Sequence, residues 1–331
     1  MESLLKSAEF PPSLWIPDYT SQKYPAKRGI IKVPEPLRNA YLKILTARGL
    51  LKNASALGDE KSDQGAIGGL DDESIEDHFA TRFSGSISRM QLYALDPKGA
   101  LPTTLDALIK VFSAGRIRLL DIPFGVGASS LSLLSIIAEL RKENRLENRP
   151  ISVHILGGEI NAKALDISRD LLAELYPWWK EWNIDVTVES RVWDILDGDS
   201  TIDLLDNWME NEVYFDQFAV VGGNFSGFLG SFVAAGKEQR WMHKAAGQLR
   251  QIFTRAGKKR AEVFWVEPQT KKAQVFLLPH LCQEIGSATK RLIPAYSGLR
   301  LADSLARSCV RDNEEFSVRA AGIQFKPSNQ P

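Results

Sequence analysis

The chain has 331 residues, with 41 Lys+Arg against 41 Asp+Glu, 44% hydrophobic residues and 25% charged ones. Zero formal net charge excludes a chain that is basic throughout and coats nucleic acid by bulk charge, although it leaves local basic patches open. Two cysteines, Cys282 and Cys309, without a CxxC pair exclude a disulfide framework, a zinc ribbon and an iron–sulfur cluster held by this chain alone. That usage fits a reducing, cytoplasmic compartment. No apolar run reaches the roughly 18 residues a membrane span needs, and Met1-Glu2-Ser3-Leu4-Leu5-Lys6 does not read as a signal peptide.

The first segment, to about residue 53, is locally basic, with nine Lys/Arg against four acids. Within it Leu37 to Leu45 reads as an amphipathic helix entered through Pro34 and Pro36 and fading toward Gly49. Ala54 to Gly69 shifts to Gly, Ser, Asp and Lys, the composition of a linker. The acids Asp71, Asp72, Glu73, Glu76 and Asp77 then read as a helix N-terminus, where they complement the dipole. Residues 1–75 are thus expected as an N-terminal extension with linker, and 76–115 as a helical lead-in or lid.

From residue 116 a regular alternation begins. Ile117–Ile122, Ile151–Leu156, Ile184–Glu189, Phe215–Val221 and Ala261–Val266 read as strands, with helices such as Ser130–Leu140 and Asn161–Leu175 between them. Near the end, Phe316 to Phe325 alternates and is expected to pair with the region around Cys309 as an antiparallel hairpin. The fold class is therefore α/β, a doubly wound, mostly parallel seven-stranded sheet with an antiparallel terminal strand, occupying 116–331 behind the N-terminal extension.

The segment that points to chemistry is Leu119-Leu120-Asp121-Ile122-Pro123-Phe124-Gly125-Val126-Gly127-Ala128-Ser129-Ser130. A strand ends near a carboxylate, turns through two glycines and enters a helix. Glycines let a ligand approach the backbone, and the helix N-terminus offers N–H groups to an anionic group. Three further strand ends add ligand-type residues: Gly157-Gly158-Glu159-Ile160-Asn161, Val192-Trp193-Asp194 and Gly222-Gly223-Asn224-Phe225. In open α/β sheets, ligands bind at such carboxyl ends.

With these residues the chain resembles the class I S-adenosylmethionine-dependent methyltransferases over about residues 116 to 327. The resemblance implies that Asp121, Gly125 and Gly127 hold the methionine part of the cofactor, with Phe124 and Val126 in the same turn. It also implies that Glu159 binds the ribose, with Ile160 beside the adenine, and that Asp194 meets the adenine amine. Pro123 stands where the family often has a glycine, and the polar insert Arg141 to Pro150 widens the spacing to Glu159. A nicotinamide dehydrogenase also uses a Gly-rich turn. However, Asp121 would sit badly against a pyrophosphate and well against an ammonium.

For the acceptor, Asn224 and Phe225 are the expected orienting residues. Asn224-Phe225-Ser226-Gly227 is not the Asn-Pro-Pro-aromatic signature of adenine or glutamine methylation, and no Pro-Cys pair supplies a cytosine nucleophile. Lys237 to Arg260 holds eight Lys/Arg against Glu238, either a phosphate-binding face assisted by the basic N-terminal segment or a solvated helix. Nucleic acid is the expected acceptor. Alternatives are a protein or small-molecule acceptor, and a non-catalytic partner subunit. No metal site is expected, because the histidines show no ligand spacing. His154 reads as a satisfied strand histidine, and Tyr176 to Trp182 as an apolar helix end rather than a base-stacking surface.

Overall fold

In the computed structural model the described residues are 10–17, 29–55, 72–97, 104–113, 115–225, 238–268, 292–294, 306–311, 314–318 and 320–327. Two short strands, β1 (Trp15–Pro17) and β2 (Gly29–Ile31), precede helices α1 (Glu35–Ala47), α2 (Leu51–Ser55), α3 (Asp72–Leu95) and α4 (Thr104–Phe112). The alternating part follows as β3 (Arg116–Ile122), α5 (Ala128–Lys142), β4 (Ile151–Glu159), α6 (Ala162–Glu181), β5 (Ile184–Val192) and α7 (Gly198–Met209). It continues with β6 (Gln217–Gly223), α8 (Glu238–Lys258), β7 (Glu262–Pro268) and β8 (Leu292–Pro294). The last strands are β9 (Ala306–Arg311), β10 (Glu314–Val318) and β11 (Ala320–Pro327).

The central sheet has seven strands in the order β5-β4-β3-β6-β7-β11-β8. Pairings from β5 through β7 are parallel, and β11 runs antiparallel to both β7 and β8. This is the doubly wound sheet with a reversed terminal strand that the alternation predicts. Between β3 and β6 the strand order reverses, so their carboxyl ends flank the crevice where such sheets take ligands.

Period-two patterning sends alternate residues of each strand to opposite cores. Ile117 and Leu119 of β3, Ala219 and Val221 of β6, and Phe264 and Val266 of β7 join the core beneath α3, α5 and α6. Their neighbours Leu120, Ile122, Phe218, Val220, Val263 and Trp265 join the core under α7 and α8. The helices answer with matching stripes. Helix α6 buries Ala164, Ile167, Ser168, Leu171, Leu175 and Trp179, and α7 buries Thr201, Leu204, Leu205 and Trp208. Each fully buried aliphatic chain contributes about 1.5–3 kcal/mol, so a sheet covered on both faces carries most of the stabilisation.

Side-chain caps fix where the helices start. Asn161 Oδ1 accepts from Lys163 N at 2.8 Å, and Asp197 Oδ1 accepts from Asp199 N at 3.0 Å. The predicted helix after β4 runs further than Leu175, through Pro177 to Glu181. Trp179 is fully buried there, and Trp178 and Trp182 pack against the same core. The aromatic run is thus a packed helix end.

The N-terminal segment packs on this body. Lys43 of α1 pairs with Glu174 of α6 at 2.7 Å, and Arg48 with Asp170 at 2.6 Å. Phe10, Leu14, Trp15, Leu37, Tyr41 and Leu45 enter the same core as β3 and α5. As expected, acids Asp72 and Glu73 lie in the first turn of α3. Of the predicted linker, residues 54–55 end α2 and the remainder lies outside the described residues.

One sequence expectation needs correction. The alternating run 316–325 is two strands in two sheets. Strand β10 pairs antiparallel with β9, with Glu315 opposite Cys309, and belongs to a four-stranded sheet ordered β1-β2-β9-β10. Strand β11 enters the central sheet, with Ala321 opposite Glu267. Alternation reports that a strand has two faces and carries no information about which sheet takes it. Contacts from α3 select the position of β11. Tyr93 Oη donates to Ile323 O at 2.8 Å, and a Cβ on Gly322 would stand 2.3 Å from the Tyr93 ring.

Candidate functional site

The turn after β3 is fixed by short backbone bonds. Phe124 N donates to Gly158 O at 2.9 Å, tying it to β4, and Gly127 N donates to Phe124 O at 2.7 Å. Gly125 and Gly127 have φ of +54° and +81°, a region that favours glycine, and the Ile122–Pro123 peptide is cis. A Cβ at Gly125 would meet nothing within 4 Å, so the turn faces open space there. On its inner side Phe124 is buried between glycines. Added Cβ atoms would come within 2.6 Å of its ring at Gly157 and 3.1 Å at Gly127. Phe124 therefore shapes the turn from beneath, and Val126 packs partly against the same core.

Asp121 is fully buried at the end of β3. Its Oδ2 accepts from Ser130 N at 3.2 Å and, in a very short bond, from Ser130 Oγ. Its Oδ1 has no hydrogen-bond partner among the described residues. Burial pushes this carboxyl up to about 7, against the two Ser130 bonds that favour its ionised form, with the nearby Glu159 charge adding to the rise. An orphaned buried carboxylate oxygen costs about 1–3 kcal/mol unless something binds it, and a cation is the natural partner.

Glu159, at the end of β4, is also largely buried, and its carboxylate works inward. Oε2 accepts from Gly125 N at 2.8 Å and Oε1 from Asn161 N at 2.9 Å. Burial raises its pKa, opposed by bonds from the Asn161, Gly125 and Ile160 N–H groups. With three N–H donors on its two oxygens, the group keeps one lone pair with which to accept from a hydroxyl while it clamps the turn.

Beside it Ile160 is 49% exposed and Val192, at the end of β5, is 69% exposed. These two give the crevice its apolar surface. Trp193, part of the strand end Val192-Trp193-Asp194, lies in the core under α7 with its Nε1 donating to Thr201 Oγ1 at 3.1 Å. Asp194 is partly buried, and its Oδ1 accepts from Leu196 N at 2.8 Å in an Asx turn.

Past β6, the two residues expected to orient an acceptor separate. Phe225 is 2% exposed, with its ring edge-on to Trp265 at 6.0 Å, which makes it a core residue. Its N–H donates to Glu267 Oε1 at 2.9 Å, and Trp265 Nε1 donates to the same oxygen at 2.8 Å. Glu267 is thus a buried tie between β6 and β7. Asn224 stays partly exposed in left-handed backbone at φ +58°, which asparagine tolerates. Its Oδ1 accepts from Arg89 Nη2 at 2.7 Å and Nε at 3.2 Å.

Arg89 lies on α3 and was not among the predicted site residues. A signal for it exists in the spacing His78, Arg82, Gly85, Arg89, an i, i+4, i+7, i+11 stripe along one helix face. Arg89 is pulled down to about 10 by burial, and His78 to about 4 by burial and by the charges of Arg82 and Arg89. His78 is therefore neutral at physiological pH.

The other candidates are structural. His154 is hydrogen-bonded at both ring nitrogens, to Ser152 Oγ at 3.2 Å and Thr187 Oγ1 at 2.8 Å. Among the described residues no group of three His, Cys, Asp or Glu side chains is placed to hold a metal, and no helix is long and apolar enough to cross a membrane. In the basic stretch, Arg255 pairs with Asp206 and Lys259 with Glu212, both acids of the α7–β6 segment. Lys237 lies outside the described residues, while Lys258 and Arg260 are exposed.

No protein-family model matches the chain, and no curated protein matches it. Among solved structures it is similar to a proposed RNA methyltransferase from Pyrococcus horikoshii, at 10% identity over 69% of this chain and 85% of that one, with a TM-score of 0.30. It is also similar to human N-acetylserotonin methyltransferase in complex with S-adenosylmethionine (11% identity, 96% of this chain and 80% of that one, TM-score 0.28). A third is a proposed class I S-adenosylmethionine-dependent methyltransferase from Listeria monocytogenes (9% identity, 89% and 86%, TM-score 0.30). At these scores the likenesses decide neither fold nor function, and both rest on this chain's own strand order and residues.

Proposed function

We propose that the chain is an S-adenosylmethionine-dependent methyltransferase, with the cofactor held at the carboxyl ends of β3, β4 and β5. The observation that carries this reading is the buried Asp121 at the strand-order reversal, with one oxygen held by Ser130 and the other unpartnered. A carboxylate there repels the pyrophosphate of a dinucleotide and attracts an α-ammonium group.

The remaining residues fit the same ligand. The open space over Gly125 admits a ligand close to the backbone, and exposed Ile160 and Val192 offer apolar surface to a purine. Asp194, with one oxygen used by its own turn, would accept from the purine amine. Glu159 would meet a ribose hydroxyl through its remaining lone pair while it holds Gly125. When bound, the sulfonium supplies a methyl group with a neutral thioether as leaving group. The chain's task is then to hold an acceptor in line, and Asn224, fixed by Arg89, is the residue placed to do so. If the acceptor is nucleic acid, the exposed Lys258 and Arg260 are available for phosphate contacts, and binding would weaken steeply with salt.

The Asp121 assignment gives a pH signature. Below about 7 Asp121 takes a proton and no longer attracts an ammonium, while above about 8 an α-amino group itself loses its charge. Groups facing Asp121 are Ser130, which donates to it, and Glu159, whose charge raises it. Affinity for S-adenosylmethionine measured by calorimetry is therefore expected to peak between about pH 7 and 8 and to fall up to about tenfold per unit on the acid side. A flat profile from pH 5.5 to 8 would remove Asp121 as the ammonium partner.

A further inference from the structure

The cations of α3 take no part in the proposed cofactor site, and one of them, Arg89, reaches the residue that follows β6. The guanidinium of Arg89 clasps Asn224 Oδ1 with two of its nitrogens, and Nη2 also donates to Ser86 Oγ at 3.2 Å. Its third nitrogen, Nη1, makes no hydrogen bond among the described residues and lies 3.2 Å from where a Cβ on Gly85 would be. No carboxylate forms an ion pair with Arg89 among the described residues. Glu267 acts on it only as a charge at longer range, and its Oε1 is committed to Phe225 N and Trp265 Nε1.

The clasp also fixes the amide of Asn224. Two donors on one side force Oδ1 toward Arg89 and turn Nδ2 away, and Nδ2 makes no hydrogen bond among the described residues. Asn224, just past β6, and Arg89 of α3, bonded to it, therefore each keep an unused N–H donor, and Arg89 carries a full charge. Arg82 and His78 continue the stripe along the same helix face, and each feels the Arg89 charge. A partly buried positive charge without a paired acid is costly, and a fork of N–H donors matches the planar or tetrahedral oxygens of an anion.

We infer that Arg89 and Asn224 form an oxyanion-binding subsite on the acceptor side of the crevice, and that the methyl acceptor carries a carboxylate or phosphate group bound there. This rests on the proposed methyltransferase reading for the word acceptor, while the anion site itself stands on α3 and β6 alone. The subsite would position the acceptor by its charge and leave the methylated atom toward the β3 turn. Neutral analogues of the same acceptor would bind poorly, because the donors would be left unpaired.

The test is calorimetry on the full chain at constant ionic strength, with inorganic phosphate and acetate as separate probes. One of the two is expected to bind the wild type saturably, which identifies the oxyanion class. Arg89→Leu should weaken that binding by about 10- to 100-fold, the range of a charge-assisted hydrogen bond, and Arg89→Lys by less. Asn224→Asp keeps the left-handed backbone and supplies Arg89 with an internal carboxylate, so it should remove anion binding while the melting temperature holds or rises. Binding of neither probe by the wild type, or unchanged binding in Arg89→Leu and Asn224→Asp, would overturn the subsite. S-adenosylmethionine is titrated into the same samples. Its loss in the wild type defeats the proposed function, whereas its retention in Arg89→Leu with the anion lost isolates the subsite.

Discussion

Asp121→Asn is expected to abolish measurable S-adenosylmethionine binding and, at pH 8, to make the free protein more stable than the wild type. Both effects come from one buried carboxylate. Its pKa rises from an ordinary aspartate value of 3.8 to about 7 on folding, so the folded state holds a proton that the unfolded state has released. Stability therefore falls as pH climbs from about 4 to 7, and above 7 the folded protein carries an ionised group with one oxygen unpartnered. A shift of this size corresponds to about 4 kcal/mol. An Asn amide keeps the two Ser130 bonds but places an unpartnered N–H₂ where Oδ1 was, which returns about 1–3 kcal/mol. The net gain expected from denaturant melts at pH 8 is about 1–3 kcal/mol, shrinking as pH is lowered toward 4. Cofactor affinity should fall by about 100-fold or more with the ammonium's counter-charge gone. Loss of stability at both pH values, or retained affinity, would contradict the role given to this residue.

Gly157→Ala should damage the turn from below. The new Cβ would lie 2.6 Å from Phe124 Cγ and 2.8 Å from Cδ1. The ring has little room to yield, because Phe124 is buried and both of its backbone groups are bonded, to Gly158 and Gly127. Relief requires moving the turn that carries Gly125, so overpacking of about 1–3 kcal/mol should be accompanied by about tenfold weaker cofactor binding. Gly247→Ala in α8 is the matched control, since its Cβ would meet nothing within 4 Å. It should be neutral or stabilising by up to about 1 kcal/mol. Equal behaviour of the two variants in thermal melting and in cofactor titration would show that Phe124 does not set the turn.

The parallel sheet was legible because five apolar runs alternate with amphipathic stretches, and four of those runs place residues in both cores. Strand ends were legible too, since a carboxylate after Leu120 or Gly158 interrupts a buried strand for no packing reason. What a side chain does at those ends was less so. Glu159 reads as a ligand residue, yet its oxygens hold Gly125 and Asn161 first, a bond that joins two turns 34 residues apart in sequence. Phe225 and Trp193 look like site aromatics because they follow strand ends, but the chain turns their rings under α7 and α8. Arg89 was hidden for a different reason. Its partner Asn224 lies 135 residues away, and only the packing of α3 over the sheet brings them together. The division of the final alternating run between two sheets was equally out of reach, because alternation does not say which sheet takes a strand.

The central claim is that the crevice above β3 and β4 binds S-adenosylmethionine, and equilibrium dialysis of the full chain with the labelled cofactor at pH 7.5 tests it most directly. One saturable site per chain is expected, displaced by S-adenosylhomocysteine and lost in Asp121→Asn but kept in Arg89→Leu. Absence of saturable binding by the folded wild type, or binding indifferent to Asp121→Asn, would contradict it.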